Sequence, residues 1–394
     1  MNPIVFDDPS IRTNLLPFTF TRPVGAIRIG ILTIIEKWEK HLGTSASYLT
    51  QDYLSEKFLF SSASENLFIN GAVCPDEELT KSINDLKIGE ALTKDGTILA
   101  CVSGNKDWNN PTSKKEYSGT VTLIDQVWKI FQYNGAQIRS DFNLITKGRK
   151  SAGISDPHTR TYSPENIFVE EGAVIQAATL NASTGPIYIG KNVQIQEGSL
   201  IRGPFSVGDE SVVNMGAKMR SDTTVGPYCK VGGEISNAVI FGYSSKVHDG
   251  FLGSSVLGEW CNMGADTNTS NLKNNYDNVK LWNYGKQGFA NTGLTFCGLM
   301  MGDHTKCGIN SMFNTGTVAG VASNIFGDGY PRNFIPSFAW GGAAGFMTYQ
   351  LNKVYETAAK AMERRNITLS EVDKKILKNV FDQCAGERVW EKKS

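Results

Sequence analysis

Histidine is the side chain that most readily accepts a proton near neutral pH, and this chain of 394 residues has only four. His41 ends a stretch with helical periodicity and His158 lies in a polar stretch, so both are expected to be solvated. His248 stands in SSKVHDGFLG and His304 in MMGDHTKCG, where glycine and aliphatic residues recur. His248 and His304 therefore remain as the candidates for a general base, His304 mostly as a neighbouring contact.

The regions that flank these two histidines have a six-residue repeat. The first block has eight members without a slip: Ile189, Ile195, Ile201, Val207, Val213, Met219, Val225 and Val231. The period resumes at Met301, Cys307, Phe313, Ala319 and Ile325. Neither the period of a helix nor that of a single strand gives this spacing, whereas a solenoid of very short strands does. A β-sandwich with chance spacing is the alternative.

Glycine is distributed unevenly and marks this repeat. Residues 1–150 hold 10 glycines, and residues 151–394 hold 30. Gly190, Gly208 and Gly226 recur every 18 residues, each directly after a member of the repeat. We interpret them as corner residues, because corners need glycine or another residue that tolerates positive φ.

The chain divides into four parts. Residues 1–150 alternate helix-like and strand-like stretches, which predicts an α/β domain with a helix at Ile31–Leu42 and strands at Phe58–Phe60, Leu67–Asn70 and Thr97–Val102. Residues 151–164 are a polar linker. The solenoid occupies residues 165–345 and is interrupted by a polar insertion at 266–297. Residues 346–394 regain helical periodicity and predict a helical tail.

Composition argues against several classes of protein. The 39 basic residues balance 39 acidic ones, so no net field favours nucleic acid or an anionic membrane. No apolar run approaches the ~20 residues of a membrane-spanning helix, and the start lacks the pattern of a secretory signal. Seven cysteines without a CxxC pair favour reduced thiols and a cytoplasmic location, and no metal site is predicted in the solenoid.

Residues 165–340 resemble the left-handed parallel β-helix acyltransferases, and three motifs narrow the resemblance. Ser245–His248 is similar to an SKAGH-type stretch, Asn262–Thr267 to an NIGAGT-type stretch, and Asn275–Asp277 to an NYDG motif. The motifs belong to the acetyltransferase half of the bifunctional N-acetylglucosamine-1-phosphate uridyltransferase/glucosamine-1-phosphate acetyltransferase family. The resemblance implies triangular coils, a left-handed all-β solenoid and a homotrimer.

The resemblance also implies a role for each matching residue. His248 would be the general base, and Asn262 would contact the sugar. The backbone amide of Ala265 would stabilise charge on the thioester oxygen. Asn275 and Tyr276 would help to hold acetyl-CoA as the co-substrate. For these last two residues an ordinary turn is the alternative.

Departures from the family pattern affect the acceptor. Phe251 stands in place of a sugar-binding tyrosine, Ser236 in place of a phosphate-binding lysine, and Ile309 in place of a small polar residue near the CoA path. The remaining candidates for substrate contact are Lys246, Lys230, Lys280 and Phe251, with Ile309 beside the cofactor. Because a phosphate without its cation binds poorly, the acceptor could be a different amino sugar or another nucleophile.

Residues 10–42 resemble the opening of sugar-1-phosphate nucleotidyltransferases, with Arg12 and Arg22 as candidate nucleotide contacts. The glycine-rich phosphate loop of that family is replaced by DDPSIRT, which is a poor phosphate cradle. Val24 replaces a lysine, and Ala72 replaces a metal-binding aspartate. We interpret the domain as a reduced, degenerate nucleotidyltransferase, and Mg²⁺ is expected only if it is active.

Three functions remain open. The first is an acetyl-CoA-dependent acetyltransferase that acts on an amino sugar phosphate or a nucleotide sugar. The second is a sugar-1-phosphate nucleotidyltransferase, alone or within a bifunctional enzyme. The third is a non-catalytic trimeric scaffold that binds a sugar nucleotide. In each case the partners are small molecules and further copies of the chain. The insertion could reach a neighbouring subunit through Trp282 and Tyr284, or form an apolar plug of its own.

Overall fold

A computed structural model describes residues 1–105 and 107–391 of the chain. The chain forms two compact units: unit 1 comprises Met1–Ile27 and Leu32–Gln126, and unit 2 comprises Arg28–Ile31 and the chain from Val127 onward. Unit 1 is α/β and unit 2 is a parallel β-solenoid with helices at its end, which confirms the predicted fold class. Residues 392–394 of the predicted tail lie outside the described residues.

Unit 1 is built on a six-stranded mixed sheet of order β2-β1-β3-β6-β5-β7. Its strands are β1 (Asn2–Phe6), β2 (Ser47–Leu49), β3 (Asn66–Asn70), β4 (Val73–Cys74), β5 (Glu90–Lys94), β6 (Thr97–Ser103), β7 (Ser113–Glu116) and β8 (Thr122–Leu123). Strands β4 and β8 pair separately. The helices are α1 (Pro9–Asn14), α2 (Ile34–Leu42), α3 (Asp52–Ser55) and α4 (Glu77–Asn84), with 3-10 turns at Phe18–Phe20 and Val24–Ala26.

Most predicted elements of unit 1 are present. Helix α2 begins at a capping box formed by Thr33 and Glu36 and ends at Gly43, whose φ is +68°. Strands β3 and β6 match their predicted ranges within one residue. The predicted strand Phe58–Phe60 is wrong, because this segment is irregular and reaches β2 through a bond from the Tyr48 amide to the Leu59 carbonyl.

Unit 2 winds through three stacked rows of short parallel strands, which we call sides A, B and C. Side A holds Ile167–Val169, Ile187–Ile189, Phe205–Val207, Thr223–Val225, Met300–Met301, Val318–Ala319 and Phe334–Ile335. Side B holds Val174–Ile175, Gln194–Ile195, Val212–Val213, Lys230–Val231, Ser245–Lys246, Asn262–Met263, Lys306–Cys307, Asn324–Ile325 and Ala339–Gly342. Side C holds Arg160–Tyr162, Thr179–Asn181, Leu200–Arg202, Lys218–Met219, Asn268–Thr269 and Met312–Phe313. Two longer strands, Glu234–Gly242 and Phe251–Glu259, run from side C into side A without a break.

The six-residue repeat supplies the interior of the solenoid. All thirteen residues of the two predicted blocks are buried, and none exposes more than 5% of its surface. Partners in adjacent coils stack in register, as Val213 does with Val231 on side B. One aliphatic column on each side therefore forms a continuous core, as the spacing predicted.

The recurring glycines are needed for close stacking of the coils. A Cβ atom on Gly226 would lie 1.9 Å from the carbonyl oxygen of Phe241 in the next coil. The positive φ angles fall two positions after these glycines, at Asn192 (54°), Glu210 (61°) and Tyr228 (57°). The sequence thus located the corners, but positive φ at the glycines is not the reason for them.

The units divide at a different point from the predicted boundary at residue 150. Helices α5 (Val127–Gln132) and α6 (Asn134–Thr146) belong to unit 2, where they pack on side A. Asn134 donates to the Asp222 carbonyl at 2.8 Å and accepts from the Gly30 amide at 2.7 Å. Part of the predicted linker is also solenoid, because Arg160–Tyr162 pairs with Thr179–Asn181.

The insertion and the tail pack against the chain's own coils. The insertion contains an antiparallel hairpin, Lys280–Asn283 with Gly288–Asn291. Trp282 stacks on Phe334 with ring centroids 4.2 Å apart, and Tyr284 meets the same ring edge-on. Both aromatic residues thus contact a residue of their own chain, which agrees with the alternative of an apolar plug. The solenoid ends with the strand Gly345–Thr348, helices α7 (Leu351–Glu363) and α8 (Glu371–Gln383), and 3-10 turns at Ala385–Glu387 and Val389–Glu391. A further 3-10 turn, Pro164–Asn166, precedes its first side A strand.

Candidate functional site

His248 lies in the turn that joins side B to side C. The strand Ser245–Lys246 ends side B, residues 247–250 make the corner, and the next strand begins at Phe251. The side chain of His248 is exposed. Gly250 has a φ of +114°, and its carbonyl accepts from the Glu234 amide of the previous coil at 3.1 Å. The imidazole therefore stands at the surface of a stacked framework, where a substrate can reach it.

Three of the predicted site residues follow one another along this corner. We define the B/C corner as residues 232–233, 247–250, 264–267 and 308–310. The Asp266 amide donates to the Asp249 carbonyl at 3.1 Å, and the Asn310 amide donates to the Ala265 carbonyl at 2.8 Å. Successive coils lie about 5 Å apart. The structure thus brings His248, Ala265 and Ile309 into one row, and Ile309 exposes 70% of its surface.

Asn262 and Lys230 lie beside this corner on the outer surface of side B. Lys230 pairs with Ser245, and Ser245 pairs with Asn262, so the three occupy consecutive outward positions. Asn262 and Lys230 are exposed. The next outward residue, Lys306, turns its ammonium toward the backbone and donates to the His304 carbonyl at 3.0 Å. Lys230 is therefore the cation that this row presents to solvent near Asn262.

Lys246 requires a correction, because it was predicted to contact substrate. Its side chain points into the solenoid, and the residue exposes 1% of its surface. The ammonium donates to the His248 carbonyl and, at 3.3 Å, to the Asp249 carbonyl. Burial lowers the pKa of Lys246 from 10.5 to about 8, against the opposing influence of Asp249, Cys307 and Asp266. A lysine inside the core cannot bind a sugar at the surface.

The remaining predicted contacts lie farther along the chain. Phe251 is half-buried at the start of its strand, and its amide donates to Asn268 Oδ1 at 2.9 Å. Asn275 and Tyr276 are exposed in a turn that leaves from the other end of side C. Asn275 Nδ2 donates to Asp277 Oδ2 at 2.6 Å, so the contacts of this motif are local. Lys280 is exposed in the hairpin of the insertion. The geometry of Asn275 and Tyr276 agrees with the alternative of an ordinary turn as well as with a site.

Unit 1 uses its candidate nucleotide contacts internally. Arg12 is buried, pairs with Asp7 at 3.4 Å and donates to the Tyr53 hydroxyl at 2.8 Å. Asp7 also accepts from the Val24 amide at 2.8 Å, and burial raises the pKa of this carboxyl. Arg22 is buried as well. These groups hold the loop after β1 in place, which corrects the prediction that the two arginines are presented to a nucleotide.

The site of a magnesium ligand in unit 1 does not fit the ion. Ala72 is fully buried, its amide donates to Asn70 Oδ1 at 3.0 Å, and its carbonyl accepts from the Ile124 amide. A methyl group offers no oxygen to Mg²⁺. Within residues 1–105 and 107–391, no group of three or more His, Cys, Asp or Glu side chains is arranged to hold a metal. The same residues contain no helix long and apolar enough to cross a membrane. All seven cysteines are free and buried.

Sequence reasoning missed a stack of rings on the corner between sides A and B. Tyr228, Tyr243, Trp260 and His304 follow one another there, with centroid separations of 5.1, 4.4 and 6.2 Å. Each has a positive φ. His304 thus lies on a different corner from His248, which corrects its prediction as a neighbour. An aromatic residue two positions after a corner glycine, as in Gly226–Tyr228, was the available signal.

Comparisons with known proteins give one family match and several partial relatives. The sugar nucleotidyl transferase family matches residues 3–150. The bifunctional protein GlmU of Trichodesmium erythraeum is 36% identical over 95 residues, which cover 24% of this chain and 19% of that protein. GlmU of Carboxydothermus hydrogenoformans is 27% identical over 190 residues, which cover 41% of this chain and 40% of that protein. The chain therefore matches about a fifth to two-fifths of the length of these relatives.

Solved structures give a weaker likeness. A variant of AntD, an N-acyltransferase from Bacillus cereus in complex with dTDP and coenzyme A, covers 52% of this chain and 91% of its own at 12% identity, with a TM-score of 0.22. A hexapeptide transferase family protein from Anaplasma phagocytophilum covers 60% of this chain and 95% of its own at 14% identity, with a TM-score of 0.12. At such scores the fold rests on the strand stacking described above.

Proposed function

We propose that unit 2 transfers an acetyl group from acetyl-CoA to the amine of an amino sugar phosphate or nucleotide sugar, and the partial identity to the bifunctional GlmU proteins supports this proposal. The observation that carries the proposal is the B/C corner. There an exposed His248 is followed in the next coils by Ala265 and Ile309, while Asn262 and Lys230 stand on the adjoining surface of side B.

The chemistry assigns one task to each group. The amine of the acceptor attacks the thioester carbonyl of acetyl-CoA, and His248 takes the proton that the amine loses. The amide of Ala265 donates to the oxygen on which negative charge develops. The carbon–sulfur bond then breaks, and the CoA sulfur leaves with the electron pair and receives a proton. Asn262 and Lys230 bind the acceptor, the lysine through a phosphate oxygen.

The residues proposed to meet the acceptor are less polar than the family pattern implies. Phe251 has no hydroxyl to offer a sugar, and Ser236 has no charge to offer a phosphate. Lys230 supplies a cation nearby, on a flexible stem. We therefore infer that the acceptor carries its anionic group farther from the amine, as a nucleotide sugar does, or tolerates a weak phosphate contact.

We also propose that the active form is a homotrimer packed through sides B and C. Large apolar side chains there are exposed by 37–70%: Val174, Leu200, Met215, Ile309, Met312 and Phe326. Side A is instead covered by α5 and α6. Apolar surface that is exposed in one chain is typical of an interface between copies. Such packing would place a second prism beside the B/C corner and enclose the thioester.

A second activity, nucleotidyl transfer by unit 1, is favoured by the family match to residues 3–150. Two observations oppose it: Ala72 cannot bind Mg²⁺, and the loop after β1 is held by buried internal contacts. Pyrophosphate release from UTP and a sugar 1-phosphate in the presence of Mg²⁺ tests this activity separately from acetyl transfer.

The test of the proposed function is release of free CoA with a panel of amino sugar phosphates and nucleotide amino sugars. We expect His248→Gln to lower kcat by about 10²–10⁴-fold, because the general base is lost. His158→Gln is the matched control, since His158 is exposed away from this corner, and it should keep the full rate. A full rate in His248→Gln would remove His248 as the base, and no CoA release with any acceptor would favour a non-catalytic scaffold.

A further inference from the structure

A single lysine occupies the column of core residues on side B. The other members of this column are apolar or thiol side chains: Ile195, Val213, Val231, Met263, Cys307 and Ile325. Lys246 follows Val231 in register. Burial of an ammonium group in such surroundings is unfavourable by several kcal/mol unless the group is hydrogen-bonded. A lysine at this position therefore needs a function that an aliphatic residue could not supply.

The hydrogen bonds of Lys246 all lead to the turn that carries His248. Its ammonium donates to the carbonyl of His248 and to that of Asp249, two and three residues ahead of it. The backbone of Lys246 is itself fixed, because its carbonyl accepts from the Gly232 amide at 2.7 Å. The side chain thus joins a fixed strand to the two peptide groups that flank the imidazole on its C-terminal side.

The direction of an exposed side chain depends on the backbone that bears it. His248 has its ring at the surface, so the turn from residue 247 to residue 250 determines where the ring points. Gly250 adopts a φ of +114°, a conformation that other residues rarely adopt, so this turn is strained for most sequences. The Lys246 ammonium donates two hydrogen bonds from inside the coil, which hold the carbonyls of His248 and Asp249 inward. The His248 ring then points outward.

From this geometry we propose that Lys246 is a positioning residue, which holds the His248 turn in the orientation needed for proton transfer. The proposal rests on the proposed acetyl transfer for its kinetic consequences, but not for its structural ones. Lys246 touches neither substrate, and its effect passes through the backbone. An error of about 1 Å in the position of a catalytic group can lower a rate about 10²-fold.

The experiment compares Lys246→Met with Val213→Ala. Methionine keeps the length and volume of the side chain but donates no hydrogen bond. Val213 lies in the same column two coils away from Lys246 and is not part of the turn, so its variant controls for lost core stability alone. We expect Lys246→Met to lower kcat by about 10–100-fold with the KM for acetyl-CoA within threefold, and to change the pH profile of kcat. Val213→Ala should leave both unchanged.

Two measurements keep the proposal falsifiable. Hydrogen exchange at the amides of residues 247–250 should become at least tenfold faster in Lys246→Met, and the NMR signals of the His248 ring should move to new chemical shifts. Neither measurement needs activity, so a wild-type protein without acetyl transfer would refute the proposed function and not this inference. Unchanged exchange and unchanged ring signals would overturn the inference. If Lys246→Met does not fold, Lys246→Gln, which keeps a donor on a shorter side chain, replaces it and should show a smaller effect in the same direction.

Discussion

The buried ammonium of Lys246 should make the stability of the solenoid depend on pH. Burial lowers the pKa of Lys246 from 10.5 to about 8 in the folded chain. Between these two values the unfolded chain holds a proton that the folded chain has released. The free energy of unfolding therefore rises with pH across this window. At pH values below 8 both states are protonated, and the folded state bears the full cost of the buried charge.

The size of the effect follows from the two pKa values. Their difference corresponds to a cost of about 3 kcal/mol for the charged form in the folded state. Between pH 6 and pH 9 the wild-type protein should recover about 1.4 kcal/mol of this cost. Asp249, Asp266 and Cys307 face the ammonium. Burial raises the pKa of the Cys307 thiol above its ordinary value.

The assay is urea unfolding of the wild-type protein and Lys246→Met at pH 6 and pH 9. Other groups titrate equally in both proteins. The change with pH in the difference between their free energies of unfolding therefore reports Lys246 alone. Val213→Ala identifies the transition that belongs to the solenoid, since it removes buried side-chain volume only there. We expect the free energy of unfolding of the wild-type protein, relative to that of Lys246→Met, to rise by about 1.4 kcal/mol from pH 6 to pH 9. If this difference in the free energy of unfolding is the same at both pH values, or is smaller at pH 9, the reasoning is refuted.

Two further predictions concern the stacking and the assembly of the coils. Gly226→Ala should destabilise unit 2 by about 2–3 kcal/mol in urea unfolding, because its Cβ would overlap the Phe241 carbonyl, whereas Gly386→Ala, with open space around it, should be neutral. Equal stabilities for the two variants would contradict the close-stacking argument. Sedimentation of the wild-type protein should give a trimer. The double variant Met215→Glu, Ile309→Glu should sediment as a monomer and show little acetyl transfer. A fully active monomer would exclude the proposed assembly.

The aliphatic repeat made the solenoid predictable because it is a local property of the chain. Each member from Ile189 to Val231 lies six residues after the last, and each is buried in the column that this spacing implies. In unit 1, the helix predicted at Ile31–Leu42 ends at the predicted residue but begins three residues later, at Ile34, after the capping box at Thr33.

The direction of Lys246 was not predictable from the repeat. Continued counting from Val231 by 18 residues would put Asp249 in the core column of side B. The structure puts Lys246 there, only 15 residues on, because Glu234–Gly242 runs from side C into side A as one strand and shortens the coil. A shift of this kind depends on how one coil rests on the coil before it, and no local pattern records it.

The amino-acid sequence by itself determined which residues form the interior of unit 2 and which histidine stands next to a family motif, since both follow from spacing along the chain. Tertiary structure decided which way Lys246 points, why Gly226 has no side chain, and that Trp282 packs on Phe334 of its own chain. These outcomes depend on atoms that are far apart in sequence and meet only when the coils are stacked. Distances between stacked coils, rather than spacing along the chain, therefore determine these three features.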